Sequence, residues 1–152
     1  MILERKFVLP GEGTRYDVLG GDQVTIKVTS RDTGGEMTVL ETVVPAGAGP
    51  PRHVHTRESE TFYVLEGDFE FEVDGERTNA SAGAFLIAPP NLPHSFRNVS
   101  NKPGKLLVVV QPGGFEEFIE KFASLPTDQP PDMSKMAQMG AEHGVTFLPP
   151  AQ

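Results

Sequence analysis

Only four histidines occur in the 152 residues, and two of them, His53 and His55, stand two positions apart. Side chains alternate between faces along an extended strand, so both imidazoles point the same way. Carboxylates follow at Glu58 and Glu60. Two imidazoles and a carboxylate on one face form a candidate site for a divalent transition metal. A third histidine, His94, follows a Pro89-Pro90-Asn91 turn that can bring it alongside the pair. The fourth, His143, lies near the C-terminal end of a predicted helix, where a cation is favoured, and reads as structural. The chain has no cysteine, which excludes thiolate ligands, cysteine nucleophiles and disulfides, and fits a cytoplasmic protein.

The elements that must hold these groups are legible in the punctuation. Sixteen glycines and fourteen prolines separate short apolar runs along the chain, a pattern of many turns between many strands. Strands are predicted over 2–9, 16–19, 24–29, 37–44, 61–65, 69–74, 77–80, 84–88, 94–99 and 105–110. Among them Phe69-Glu70-Phe71-Glu72-Val73 alternates strictly, and Phe69 and Phe71 read as ordinary core. Glycine and proline in residues 45–51 exclude ladder pairing just before the histidines. The period then changes. Phe115, Phe118, Ile119 and Phe122 predict a short amphipathic helix packed on the outside of the β body. Asp132 reads as the N-cap of a second helix over 133–143 that ends at Gly144, with a stripe of Met133, Met136 and Met139 as packing, or else as a lid or a dimer contact. Residues 145–148 are an apolar tail expected to dock on the body. The length suits one domain over 1–152, with a β core at about 16–112 and a helical extension at about 113–152.

Two stretches carry a more specific likeness. The first is Gly47-x5-His53-x-His55-x4-Glu60-x6-Gly67, and the second is Gly83-x5-Pro89-x-Asn91-x2-His94-x3-Asn98. They resemble the two sequence motifs of the cupin superfamily, with one departure at Asn91, where the family usually carries glycine. Asparagine tolerates the left-handed region next best, so the turn is expected to survive. The resemblance implies an all-β jelly-roll barrel with a metal near its centre, bound by His53, His55, Glu60 and His94. The C-terminal helices are similar only in general style to quercetin-dioxygenase-like cupins.

Three neutral imidazoles and a carboxylate suit Fe, Mn, Ni, Cu or Zn and do not choose among them. Glu58 is the rival ligand to Glu60; the motif spacing favours Glu60 and leaves Glu58 as solvated or supporting. Parity from Glu60 turns Phe62 and Val64 inward and Tyr63 and Leu65 outward, while parity from His94 turns Phe96 and Asn98 inward. Phe62, Val64 and Phe96 are therefore the expected pocket residues, which favours an aromatic or other carbon-rich ligand. Arg52 and Arg57 flank the histidines and are expected to pair with nearby acids.

A formal charge of −8 without a basic cluster argues against nucleic acid or an anionic membrane as partner. The N-terminus lacks the apolar core of a signal peptide, and the longest aliphatic run, residues 106–110, is too short to cross a bilayer. The reading that follows is a mononuclear metal-dependent dioxygenase for a small aromatic or enolisable compound, with Glu60 doubling as a proton acceptor. A metal-bearing binding or sensor protein without turnover is the alternative. Isomerase or epimerase chemistry lacks the lysine or tyrosine usual beside the metal in sugar-processing cupins. Apolar outer strand faces suggest a homodimer.

Overall fold

Alternating apolar residues need two surfaces to cover them, and in the computed structural model the strands form two facing antiparallel sheets. Residues 3–18 and 20–151 are described. One sheet has the order β1 (Thr14–Asp17), β2 (Gln23–Val28), β3 (Thr38–Val44), β10 (Gly104–Gln111), β5 (Ser59–Glu66) and β8 (Phe85–Ala88). The other runs β11 (Val145–Phe147), β4 (His53–His55), β9 (His94–Asn98), β6 (Asp68–Val73) and β7 (Glu76–Ser81). This is an all-β jelly roll. No ladder joins one sheet to the other among the described residues, so the expected closed barrel is an open sandwich. The chain crosses between sheets at residues 45–51, where three prolines lack the N–H that closure would use.

The inner faces follow the period of two. Thr38, Leu40, Thr42 and Val44 on β3 are buried, as are Gly104, Leu106, Val108 and Val110 on β10. Phe62 of β5, in the same sheet, packs with Phe71 and Phe96 of the facing sheet, ring centroids 5.3 to 5.7 Å apart, in tilted and edge-on arrangements that the ring quadrupoles favour. Tyr63 and Leu65 face outward, and Asn98 is fully buried.

Three expectations need correction. The predicted strand over 2–9 is not formed at residues 3–9, and Ile2 lies outside the described residues. The sheet edge is already taken by β1, which leaves this arm without a ladder and Phe7 80% exposed. The turn at residues 32–35 is preceded by a single helical turn, α1 (Ser30–Thr33), capped by Thr29 and Asp32. The strand predicted over 16–19 reaches only to Asp17, and Leu19 lies outside the described residues.

The C-terminal segment matters more. α2 (Phe115–Ala123) does not lie on an outer sheet face; its apolar stripe closes over the space between the sheets, beside β1 and α3 (Met133–Glu142). The tail is itself a strand, because β11 pairs with β4 and sets Val145 opposite His55 and Phe147 opposite His53.

One carboxylate ties α2 to the sandwich. Glu116 accepts hydrogen bonds from Ser30 N (2.8 Å), the hydroxyls of Ser30 and Thr38, and Gly114 N (3.1 Å). Burial favours its neutral form, but these donors outweigh it and lower its pKa. A depressed carboxylate pKa contributes stability above the ordinary value, and that contribution fades as pH falls through the folded-state value. Replacing Glu116 with Ala also leaves the fully buried Thr38 hydroxyl short of a partner. Glu116→Ala is expected to lower unfolding stability by about 2 kcal/mol at neutral pH and by less in acid, measured by urea denaturation. Equal losses at both pH values would contradict the latch.

Candidate metal centre

Each histidine ring is oriented by a hydrogen bond from its Nδ1. His53 Nδ1 donates to the Pro51 carbonyl (2.8 Å), His94 Nδ1 to the Leu92 carbonyl (3.1 Å), and His55 Nδ1 to the Glu58 carboxylate (3.2 Å). Carbonyl and carboxylate oxygens only accept, so the proton of each neutral ring sits on Nδ1 and Nε2 keeps a lone pair. All three Nε2 atoms face one oxygen, Glu60 Oε2, at 3.9 Å from His53, 3.1 Å from His55 and 2.9 Å from His94. His55 Nε2 is buried and has no hydrogen-bond partner despite that short approach. With neutral rings the centre gathers acceptors facing acceptors, an arrangement that a proton relieves in part and a divalent cation between them satisfies fully.

Four potential ligand atoms, one each from His53, His55, Glu60 and His94, lie within 4.8 Å of one another, and all four residues are buried. This cluster fits a divalent metal site. Local structure explains the convergence. His53 and His55 share a face of β4, and His53 is the residue registered with His94 on β9. Asn91 adopts φ 68°, the left-handed conformation that its position needs, and its N–H binds the His55 carbonyl (2.8 Å). Glu60 arrives from the opposite sheet, on β5. Glu58 touches His55 Nδ1 rather than the centre.

Electrostatics agree with the geometry. Burial disfavours charge on His53 and lowers its pKa. Burial also opposes charge on His55, yet Glu58 and Glu60 overcome it and raise its pKa to about 9. For Glu60 burial favours the neutral acid, but the surrounding His53, His55 and His94 rings, which donate from Nε2 once they carry a second proton, outweigh it and hold it well below the carboxylate range. Without a metal the cluster holds a proton, which a divalent ion would replace.

The centre opens into a cavity of about 340 Å³, apolar on most of its wall. Register shows its course. Glu60 pairs through Val110 with Thr38; one inward row further, Phe62 pairs through Val108 with Leu40; the next row sets Val64, Leu106, Thr42 and Val24 side by side. The lining residues are Glu60, then Phe62, Val108 and Leu40, then Thr42 and Val24, then Asp22. The cavity therefore runs diagonally from β5 toward β2. Phe62 and Phe96 line it, whereas Val64 does not. At its row the cavity has moved away from β5, and Val64 packs in the core beside Leu106.

The share of α2 in the roof is what sequence reasoning misses, whereas a lid is one of its readings of the methionine stripe on α3. Phe115, Phe118, Ile119 and Phe122 of α2 and Met133 and Met136 of α3 line the cavity, and Phe115 lies edge-on to His55 at 5.1 Å. The helical apolar stripe is the available signal, but nothing in the stripe itself says which surface it covers. Among the flanking groups, Arg52 pairs with Glu72 (3.2 Å), Arg57 makes no ion pair among the described residues, and His143 Nδ1 donates to the Met139 carbonyl (2.9 Å) at the end of α3.

Residues 39–110 match the family model described as Cupin domain. Together with the two-sheet fold, that makes residues 39–110 a cupin domain. It is 38% identical over 109 residues to quercetin 2,3-dioxygenase of Bacillus subtilis (strain 168), a match covering 71% of this chain and 32% of that enzyme. It is 37% identical over 78 residues to gentisate 1,2 dioxygenase 1 of Aquipseudomonas alcaligenes, covering 51% of this chain and 22% of that enzyme. The chain thus spans less than a third of the length of either. An RmlC-like cupin from Shewanella frigidimarina NCIMB 400 superimposes with a TM-score of 0.66 at 25% identity, covering 78% of this chain and all of the other.

Two outcomes are expected from this geometry. Glu58→Ala removes the acceptor that fixes His55, and metal affinity should fall about 10- to 100-fold in competition with a chromophoric chelator; unchanged affinity would contradict that role. Asp22 is the second case, since burial raises its pKa from 3.8 to about 6. A raised carboxylate pKa favours the fold below pH 3.8, and that advantage is lost as pH rises through about 6. Asp22→Asn should therefore raise stability by on the order of 2 kcal/mol above pH 7 and change little below pH 4, measured by denaturant unfolding.

Proposed function

We propose that this protein is a mononuclear metal-dependent dioxygenase acting on a small aromatic or enolisable compound. The observation that carries the reading is the acceptor-only cluster of His53, His55, Glu60 and His94 at one end of an apolar cavity. A bound transition metal supplies Lewis acidity toward an enol oxygen and a route for electrons to dioxygen. The protein's own part is positional. Phe62 and Phe96 offer aromatic walls for a ring, and the helical roof keeps bulk water from the reacting atoms. Glu60, held ionised, is the carboxylate placed to take an enol proton. The similarity to two proteins named as dioxygenases supports the choice of reaction among those cupins perform.

A homodimer fits the surface. Tyr63, Leu65, Phe85 and Ile87 expose apolar side chains along the outer face of β5 and the free edge strand β8, a strip that a second copy would cover. No helix among the described residues is long and apolar enough to cross a membrane.

Oxygen consumption by metal-reconstituted protein on a flavonol and diketone panel tests the reading. Turnover with at least one metal is expected, falling by about two orders of magnitude or more in His94→Ala, in line with loss of an activating group. Tight ligand uptake with no product under any metal would overturn it in favour of a metal-bearing binding protein.

A further inference from the structure

The mechanism above uses one end of the cavity and leaves the other unexplained. There, at the start of β2, Asp22 lines the wall beside Val24 and Thr42. Its carboxyl has no hydrogen-bond or ion-pair partner among the described residues. The Thr42 hydroxyl is buried and also lacks a partner. A half-buried carboxylate and a buried hydroxyl, neither with a protein partner, stand here in an otherwise apolar wall, a placement that desolvation makes unfavourable for both. Neither is in the metal cluster, and neither supports a turn or a cap.

We infer that Asp22, with Thr42 beside it, forms a second polar anchor of the ligand pocket and accepts a hydrogen bond from an O–H or N–H group at the far end of an elongated aromatic ligand. This rests on the proposed reading in one respect, that the ligand's reacting end lies at the His53, His55, Glu60 and His94 cluster. Geometry sets the length. Thr38 shares the row of Glu60, and Thr42 lies four residues further along β3, roughly 13 Å at the rise of a strand. A single ring held at the metal does not reach Asp22; a ligand of two or three linked or fused rings does. The intervening wall of Phe62, Val108 and Leu40 carries no polar group, so it demands a flat carbon skeleton between two polar ends. The cavity thus selects by length and by a terminal donor, while chemistry takes place at the opposite end.

The test is a cycle of two proteins and two probes, on metal-loaded full-length chain. The probes are a flavonol with a hydroxyl on its distal phenyl ring and the same flavonol without it, titrated by absorbance. Wild type is expected to bind the hydroxylated probe about tenfold more tightly, as a hydrogen bond to a charged acceptor would give. Asp22→Leu should erase that preference by weakening the hydroxylated probe alone, and Thr42→Val should reduce it in part. Thermal melts confirm that both variants fold. His94→Ala serves as the separate control: it should weaken both probes together and keep their ratio. Equal affinities in wild type, equal weakening of both probes by Asp22→Leu, or no binding of either would overturn the anchor. Affinities indifferent to His94→Ala would instead overturn the placement of the reacting end at the metal, with the ratio still reporting on Asp22.

Discussion

Three imidazole lone pairs and a carboxylate oxygen are held against one another in the protein interior, and everything else in the structure serves that repulsive arrangement. Each Nδ1 proton is committed to an oxygen of Pro51, Glu58 or Leu92, so no ring can relieve the centre by turning over without losing a bond. A proton shared among the rings is a partial remedy. A divalent cation is a complete one, because it meets all four acceptors at once. Burial alone would neutralise Glu60, and protonated neighbouring rings keep it ionised; burial likewise lowers the pKa of His53, whereas Glu58 and Glu60 together outweigh it at His55.

Holding such a centre requires both sheets and the C-terminal segment. β4 is three residues long and touches β9 through a single registered pair, His53 with His94. On its other side it is sewn to β11, with Thr56 N bound to the Gly144 carbonyl and Leu148 N to the Arg52 carbonyl. The tail is therefore the second edge of the strand that carries two of the ligands. α2 and α3 roof the cavity between, and Glu116 fastens α2 to Ser30 and Thr38. One segment thus completes the strand, closes the pocket and fixes the depth of the apolar wall.

Much of this was legible from residue types and spacing. The period of two placed Phe62, Phe96 and Asn98 on inner faces, and glycine–proline punctuation located most strand ends because turns need those residues for local reasons. Gly67, between β5 and β6, takes φ 95°, and a β-carbon there would lie 3.1 Å from the α-carbon of Gly104, so glycine there is both a turn signal and a packing requirement. Nonlocal choices were less legible. An apolar helical stripe states that it needs a partner but not which one, so α2 was assigned to an outer face. A three-residue strand such as β11 has too little periodicity to identify itself. Val64 has the right parity for the pocket, yet the cavity's diagonal course depends on register between four strands. Asp22 looks like an ordinary turn residue until that course is known.

The whole account stands on the centre's need for a cation. The direct measurement is elemental analysis of protein purified without an affinity tag, joined to X-ray absorption at the edge of whatever metal is found. One equivalent of a single transition metal, with a first shell of three imidazole nitrogens and a carboxylate oxygen, is the result this structure predicts. A chain that binds no transition metal even after reconstitution, or an ion bound without the imidazoles, would contradict it.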